Sequence, residues 1–568
     1  MISVDSQLRQ DSYHEARPSR ISRKLKDGDS DGSEESAKNE PAFTGEFFDC
    51  RFSWPLPPLD LQIPGLPSTP ATEIARPDEP PLYSVFTGGQ KRLTVFVVSF
   101  VAMISPLSGT IYFPALEILA KHFHVSSSVI QLTITTYQIF QGIAPSFIGN
   151  YSDSYGRRPA YAICIVVYVA ANIGLALQNS YAALITLRCL QSAGSSATIA
   201  LAAGSVADMI TRAERGKFIA YASLGVTLGP ALGPIVGGLL TEFLGWRSIF
   251  WFLIIFSAAL FTIYFIFVPE SARQVVGNGS IPPSRLFMTP FQRIEHKRHP
   301  VSVSDVDRAT LKGERKPLNP FAALKILGEK EGGVTLGFGS LMYGGYFMVL
   351  TTLPSQLTQR FQYNAVQIGL CYLPIFVGSI FSRSMAGYLL DRNFRRHAKR
   401  VGIEVSKERQ EDMDKMPIEA ARLQVSIPMI YITSVCVLAY GWTMETKSSL
   451  AGIEVTLFFL GLFNSGGLAG LNTLVVDTHQ ESPATAMAAN NLFRCLVSAG
   501  ATSVAVPMID RIGIGWTSVF IAGVWLCFSA ALWCVLLFGA EWRLEKNEKI
   551  NRAKEKEEVQ TRDTSIES

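Results

Sequence analysis

Gly149-Asn-Tyr-Ser-Asp153-Ser-Tyr-Gly156-Arg157-Arg158-Pro159 closes one apolar run, and Gly387-Tyr-Leu-Leu-Asp391 closes another 238 residues later. Pro114 and Pro354, 240 residues apart, are each expected to end a run. Two landmarks at nearly one offset, each at the same kind of helix end, predict parallel internal repeats. Outward from these marks, apolar runs of about 20 residues recur, each long enough to cross roughly 30 Å of hydrocarbon as a helix. Twelve are expected, at 93–114, 128–148, 159–178, 182–207, 218–240, 246–268, 333–353, 366–386, 424–444, 450–474, 483–508 and 515–539. The fold class is therefore an all-α polytopic membrane protein whose 12 transmembrane helices form two six-helix pseudo-repeats.

The domain plan follows from where the charges fall. Residues 1–92 are polar, Ser-rich and then Pro-rich, without the apolar core of a secretory signal, and read as a disordered cytosolic tail. Residues 93–268 form the first bundle, 269–332 a cytosolic central linker, 333–540 the second bundle, and 541–568 a charged cytosolic tail. Of the 51 Lys and Arg, 43 fall on the side of both termini and 5 in the loops opposite, which places both termini in the cytosol.

Composition excludes the main soluble classes. Hydrophobic residues make up 48% and charged residues 17% of 568, with a mean hydropathy of +0.22; an ordinary globular domain carries about 25% charge. Lys and Arg number 51 against 47 Asp and Glu, so no nucleic-acid partner is expected. The eight cysteines stand singly, without a disulfide framework or metal-ligand spacing. The His122-Phe-His124 pair lacks a third ligand, so no metal site is expected. No G-x-x-x-x-G-K-[ST] loop is present, which argues against ATP as energy source and leaves an ion gradient. The chain is not expected to be an enzyme.

The loop quoted first fits G-x-x-x-D-x-x-G-R-R at every fixed position and resembles the loop between helices two and three of the major facilitator superfamily. Within that superfamily the chain resembles the fungal 12-span drug:proton antiporters of the quinidine-resistance type. Gly149 and Gly156 would allow tight turns, and Asp153 could cap a helix or pair with a cation. Arg157 and Arg158 would sit at the cytosolic boundary. The resemblance implies that this loop latches the two halves together. The copy at Asp391 is degenerate, since Asp391-Arg392 is followed by Asn-Phe.

Two more segments carry the resemblance. Arg188-Cys-Leu-Gln191-Ser-Ala-Gly194 is similar to the family's R-x-x-Q-G-x-G, with Ser192 where Gly is usual. A guanidinium in lipid costs several kcal/mol unless it faces a cavity or a partner. Arg188 either lines the cavity or snorkels outward. Gly225-Val-Thr-Leu-Gly229-Pro230-Ala-Leu-Gly233-Pro234-Ile-Val-Gly237-Gly238 sets glycine at every fourth position, a stripe that lets another helix approach closely. This run resembles the antiporter motif, which implies export.

The expected function is proton-coupled efflux of drugs, toxins or secondary metabolites by alternating access. The alternatives are a dedicated exporter of one organic acid or biosynthetic-cluster product, and a non-transporting membrane sensor. Candidate substrate-binding residues are Tyr112, Arg188, Gln191, Tyr343, Tyr346, Asn464, Asn490, Asn491 and Arg494. Aromatic rings would supply apolar contact, while amides and guanidinium groups would orient polar groups. Glu454 is the only carboxylate within the expected spans. Glu117 and Asp208, just past span ends, join it as proton-coupling candidates, each also readable as an interfacial residue setting helix length. Arg494 is the deepest charge of the second half. Two buried arginines with so few carboxylates would suit an anionic or polar neutral substrate. The expected partners are a small-molecule substrate and the bilayer, with the chain working as a monomer in the plasma membrane, no cofactor, and the proton gradient as energy source.

Overall fold

A computed structural model describes residues 84–211, 218, 221–284, 287–298, 322–402, 416–479 and 483–567. Most of the expected N-terminal tail and residues 299–321 of the expected linker lie outside the described residues. Among the described residues there is no strand, and twelve long helices account for the architecture.

The first half comprises α1 (Gly88–Thr110), α2 (Ser127–Tyr155), α3 (Arg157–Leu177), α4 (Tyr181–Met209), α5 (Leu224–Leu244) and α6 (Arg247–Phe267). The second comprises α7 (Lys330–Phe361), α8 (Ala365–Cys371 and Leu373–Val401), α9 (Ile418–Glu445) and α10 (Leu450–Thr478), followed by the run Pro483–Glu567. Gly513 (φ 80°, ψ 162°) breaks that run into α11 and α12. The helices alternate in direction between a tail side, where Gly88 starts, and a distal side. Short helices Arg273–Val276, Pro290–Arg298 and Ala322–Leu327 occupy described parts of the linker.

Local chemistry sets the helix starts. Thr87 and Gln90 form a reciprocal capping box for α1, and Asn364 with Gln367 does the same for α8. Ser126, Ser180 and Ser449 each accept a backbone N–H at the starts of α2, α4 and α10. Among the described residues, nine helical runs are long and apolar enough to cross a membrane, one of them holding both α11 and α12. Helices α2 and α4 fall short of that measure because Gln, Ser, Thr and Arg interrupt their apolar faces.

The helices outrun the apolar windows that predicted them, and this corrects several expectations. Pro114 does not end the first span: a 3-10 turn at Phe113–Ala115 leads into a further helix, Leu116–His122, which carries Glu117. Proline at a helix start is tolerated because its missing N–H would have had no intrahelical partner. Pro354 lies inside α7, seven residues before its end. The fifth span carries a turn at Ser223, with helix at 218, 221 and 222 before it and Leu224–Leu244 after it, so it ends past the expected 240. Gly149 makes no turn and sits inside α2. Residues 541–567, expected only as a charged tail, continue α12 as helix.

The glycine stripe of α5 packs on α1. A Cβ on Gly225 would land on the Ser99 carbonyl oxygen, and one on Gly237 on that of Ile111. At Gly229 it would meet Pro106 Cγ at 2.9 Å and Leu107 N at 3.0 Å. Contacts between the halves gather distally. Gly238 abuts the Ala365 carbonyl, Gly369 abuts that of Pro234, and Glu242 accepts the Ala365 N–H at 3.1 Å. Phe113 of the first half packs on Phe347 (ring centroids 6.3 Å apart) and Tyr372 (5.9 Å) of the second. Farther from the distal end, Gln138 donates to Ser498 (3.3 Å) and Asn491 donates to the Gln141 carbonyl (3.3 Å), joining α2 to α11.

Candidate functional site

Two arginine-centred clusters lie within the helices, one in each half. Arg188 on α4 is fully buried. Its guanidinium stands over the rings of Tyr112 (4.2 Å) and Tyr137 (4.4 Å). Nη1 donates to Gln191 Oε1 (2.6 Å) and, at 3.4 Å, to the Ser108 carbonyl. Gln191 donates in turn to Asn172 (2.7 Å), and Asn172 to the Tyr168 carbonyl (2.7 Å). Arg188 Nε and Nη2 have no hydrogen-bond partner, and no carboxylate among the described residues forms an ion pair with it. Two desolvated cation–π contacts of about 2 kcal/mol each go some way toward offsetting the burial cost. Arg188 neither snorkels outward nor faces an open cavity here; with Tyr112 and Gln191, both also fully buried, it is sealed.

The second cluster is more open. Arg494 on α11 keeps partial solvent access, and its guanidinium lies 4.5 Å from the Tyr343 ring on α7. Nη2 donates to Asn491 Oδ1 at 2.9 Å, and Nε has no partner. Asn490 turns away to donate to Asn472 of α10 (2.8 Å). Tyr346 is buried in the second half, and so is Asn464, whose Oδ1 lacks a partner. The structure thus joins Tyr112, Arg188 and Gln191 in one cluster and Tyr343, Asn491 and Arg494 in another. Asn490, Asn464 and Tyr346 belong to neither.

The proton-coupling candidates are scattered. Glu117 accepts from Ser127 (3.0 Å) at the distal end, in a groove shared with Lys121, His124 and Asp510. Glu454 sits beside Cys371 near the distal end of α10, and its Oε2 is buried without a partner. Asp208 closes α4 on the tail side, paired with Arg157 Nε at 2.8 Å. The helices also bring in carboxylates beyond the apolar windows. Glu331 starts α7, buried, with Oε1 unpartnered. Glu419 starts α9, fully buried, and faces Arg543 Nε at 3.0 Å.

The Gly156–Arg158 segment is a nexus of the tail side. Gly156 takes φ 117°, and a Cβ there would meet Glu270 Oε2 at 2.8 Å. Glu270, which follows α6, accepts the N–H groups of Arg157 (2.8 Å) and Arg158 (2.9 Å), so its charge sits on the N-terminus of α3. Arg157 bridges Asp153 (2.7 Å), Ser152 (2.8 Å) and Asp208. Arg158 donates to the carbonyls of Val268 and Phe265. All these partners lie in the first half or at the very start of the linker, so here the loop ties α2, α3, α4 and the end of α6 together rather than latching the halves.

The second half repeats the central pair where the degenerate motif did not point. Arg422, in the first turns of α9, contacts Asp477 at the end of α10 at 2.9 Å, with its guanidinium 4.6 Å from the Phe394 ring. Asp391, the motif's own acid, is exposed. An arginine near the start of the third helix of each half, with an aspartate closing the fourth, was the signal available in the sequence.

Residues 98–502 match the Major Facilitator Superfamily. The chain belongs to the Major Facilitator Superfamily. Similar curated proteins include the MFS-type transporter phiD of Fungal sp. (strain ATCC 74256), 42% identical over 83% of this chain and 72% of that protein. The MFS-type transporter R5 of Phoma sp. is 43% identical over 82% of this chain and 88% of its own. Citrate exporter 1 of Aspergillus niger is 34% identical over 84% and 91%. Among solved structures, the xylose transporter XylE from E. coli, in a partially occluded inward-open conformation, shares the fold. Its TM-score is 0.53 at 15% identity, over 79% of this chain and 98% of that one. This major facilitator protein is therefore a multi-pass membrane transporter and not an enzyme.

Proposed function

We propose that this transporter exports hydrophobic or amphiphilic organic compounds in exchange for protons. It works as a monomer in the plasma membrane with both tails in the cytosol and needs no cofactor beyond the proton gradient. The observation that carries the reading is the contact of α5 with α1, where four glycines let backbone meet backbone from Gly225 to Gly237. Such a seam packs the two helices backbone to backbone, and its sequence is the stretch that resembles the antiporter motif. One relative named as an exporter supports the same direction. Distal contacts between the halves correspond to a state that loads substrate from the tail side. The sealed Arg188 cluster and the accessible Arg494 cluster would flank the path, and Glu454, with a buried unpartnered oxygen, is the first choice for the exchangeable proton.

The test uses cells preloaded with a lipophilic dye. Cells lacking the protein should retain more dye, and collapse of the pH gradient should abolish the difference. Gly229→Leu should fail to restore efflux while reaching the membrane at the normal level. Normal efflux by Gly229→Leu would make the stripe incidental and remove the main support for export.

A further inference from the structure

The two arginines differ in what they leave unspent. Arg188 is enclosed by two rings and fully buried, so nothing can reach it in this state. Arg494 is accessible, and its ring contact and amide bond are neutral groups that hold the guanidinium plane without cancelling its charge. Asn491 is itself fixed by the Gln141 carbonyl from the opposite half, so the fork is oriented from both halves. Nε lacks a partner, and among the described residues no carboxylate pairs with Arg494. Nε is enclosed and Nη2 already donates to Asn491, so a carboxylate in two-point contact meets the outer Nη1/Nη2 edge of the planar fork.

The surroundings narrow the ligand further. From Tyr343, a ring contact leads one helical turn along α7 to Phe347 (5.0 Å) and then to Phe113 of the first half (6.3 Å). An apolar wall therefore starts beside the cation and runs toward the closed distal end. A small polyanion would find only one accessible guanidinium here, whereas a single carboxylate on an apolar body matches both the fork and the wall.

We propose that Arg494, oriented by Tyr343 and Asn491, binds the carboxylate of an amphiphilic organic acid whose apolar part lies along Phe347. The assignment rests on the export reading for its physiological meaning, but binding can be measured without it. The purified full-length protein is titrated with 4-butylbenzoate, with 4-butylbenzamide as its neutral counterpart, and with citrate, while the thermal unfolding midpoint is followed. The expected result is protection by 4-butylbenzoate at concentrations at least tenfold lower than by the amide or by citrate. Arg494→Gln should abolish that preference, and Arg494→Lys should keep part of it, because charge remains without the fork. Equal protection by acid and amide, stronger protection by citrate, protection by none of the three up to millimolar levels, or a preference unchanged in Arg494→Gln would each overturn the proposal. If Arg494→Gln does not fold, Arg494→Lys and Tyr343→Leu decide instead, and an unchanged acid preference in both overturns it. An Arg494-dependent preference in a protein whose loss leaves cellular 4-butylbenzoate unchanged would sink the export reading and leave this subsite standing. Efflux of neutral dyes without any acid preference would do the reverse.

Discussion

Arg422 reaches Asp477 at 2.9 Å and so repeats, in the second half, the 2.8 Å pair of Arg157 with Asp208. Each pair binds the tail-side start of a third helix to the end of a fourth. Asp477→Asn would leave a largely buried guanidinium without its counter-ion. A loss of about 3 kcal/mol is expected, at the low end for a buried pair broken from one side. Arg422→Met combined with Asp477→Leu should recover most of it. Thermal unfolding of the purified single and double variants measures both, and a double variant no better than the single would show that the pair is not the stabilising unit.

Glu270→Gln keeps the shape of the cap on α3 but removes its charge. Glu270 accepts from the Arg157 and Arg158 N–H groups as well as those of Ser271 and Ala272. Charged hydrogen bonds of this kind contribute about 1.5–3 kcal/mol. A stability loss in that range is expected, together with faster hydrogen exchange at the start of α3.

Gly149 and Gly156 belong to one motif but should respond oppositely. Gly149 is helical with nothing within 4 Å of a built Cβ, so Gly149→Ala should stabilise by about 0.5–1 kcal/mol and leave transport unchanged. Gly156→Ala meets both a positive φ and the Glu270 carboxylate, so it should lower the yield of folded protein. Transport lost in Gly149→Ala despite the gain in stability would mean that Gly149 packs closely in another state of the cycle.

Acid should weaken one tail-side contact in a defined window. Glu329, just before α7, bonds His479 (2.8 Å) and Lys546 (2.6 Å). Partial burial works to raise its pKa, but the bonds and charges of His479 and Lys546 outweigh that and hold the carboxyl below its ordinary 4.5. A depressed pKa stabilises the fold at pH above the unfolded value and loses that contribution as pH falls through the folded one. The difference in unfolding midpoint between wild type and Glu329→Gln should therefore be full above about pH 5 and shrink below 4.5. A difference constant from pH 7 to pH 3 would contradict this.

The architecture was largely legible because its signals are local. Apolar runs and the two repeated landmarks predicted twelve helices in two halves, and the Gly225–Gly237 period predicted a helix seam. Helix ends were less legible, since α7, α9 and α12 extend on charged residues that no hydropathy window retains. That is why Glu331, Glu419 and Arg543 escaped notice. The surroundings of Arg188 were equally hidden: Ser108 and Tyr137 meet its guanidinium and Asn172 meets its neighbour Gln191, from three helices that only tertiary packing brings together. The second-half copy of the motif points to Asp391, whereas the ion pair forms between Arg422 and Asp477, residues set far apart in the chain.

The sealed state of Arg188 has a consequence for how such transporters diversify. A cation locked between Tyr112 and Tyr137 is out of reach of every cargo in this state, so Arg188 acts as part of a fixed frame. With Arg494 as the proposed carboxylate site, the reading of cargo would fall to the half that carries it and Tyr343. A chimaera that takes residues 330–567 from a relative should inherit that relative's preference for acidic or neutral compounds, whichever parent donates residues 84–268.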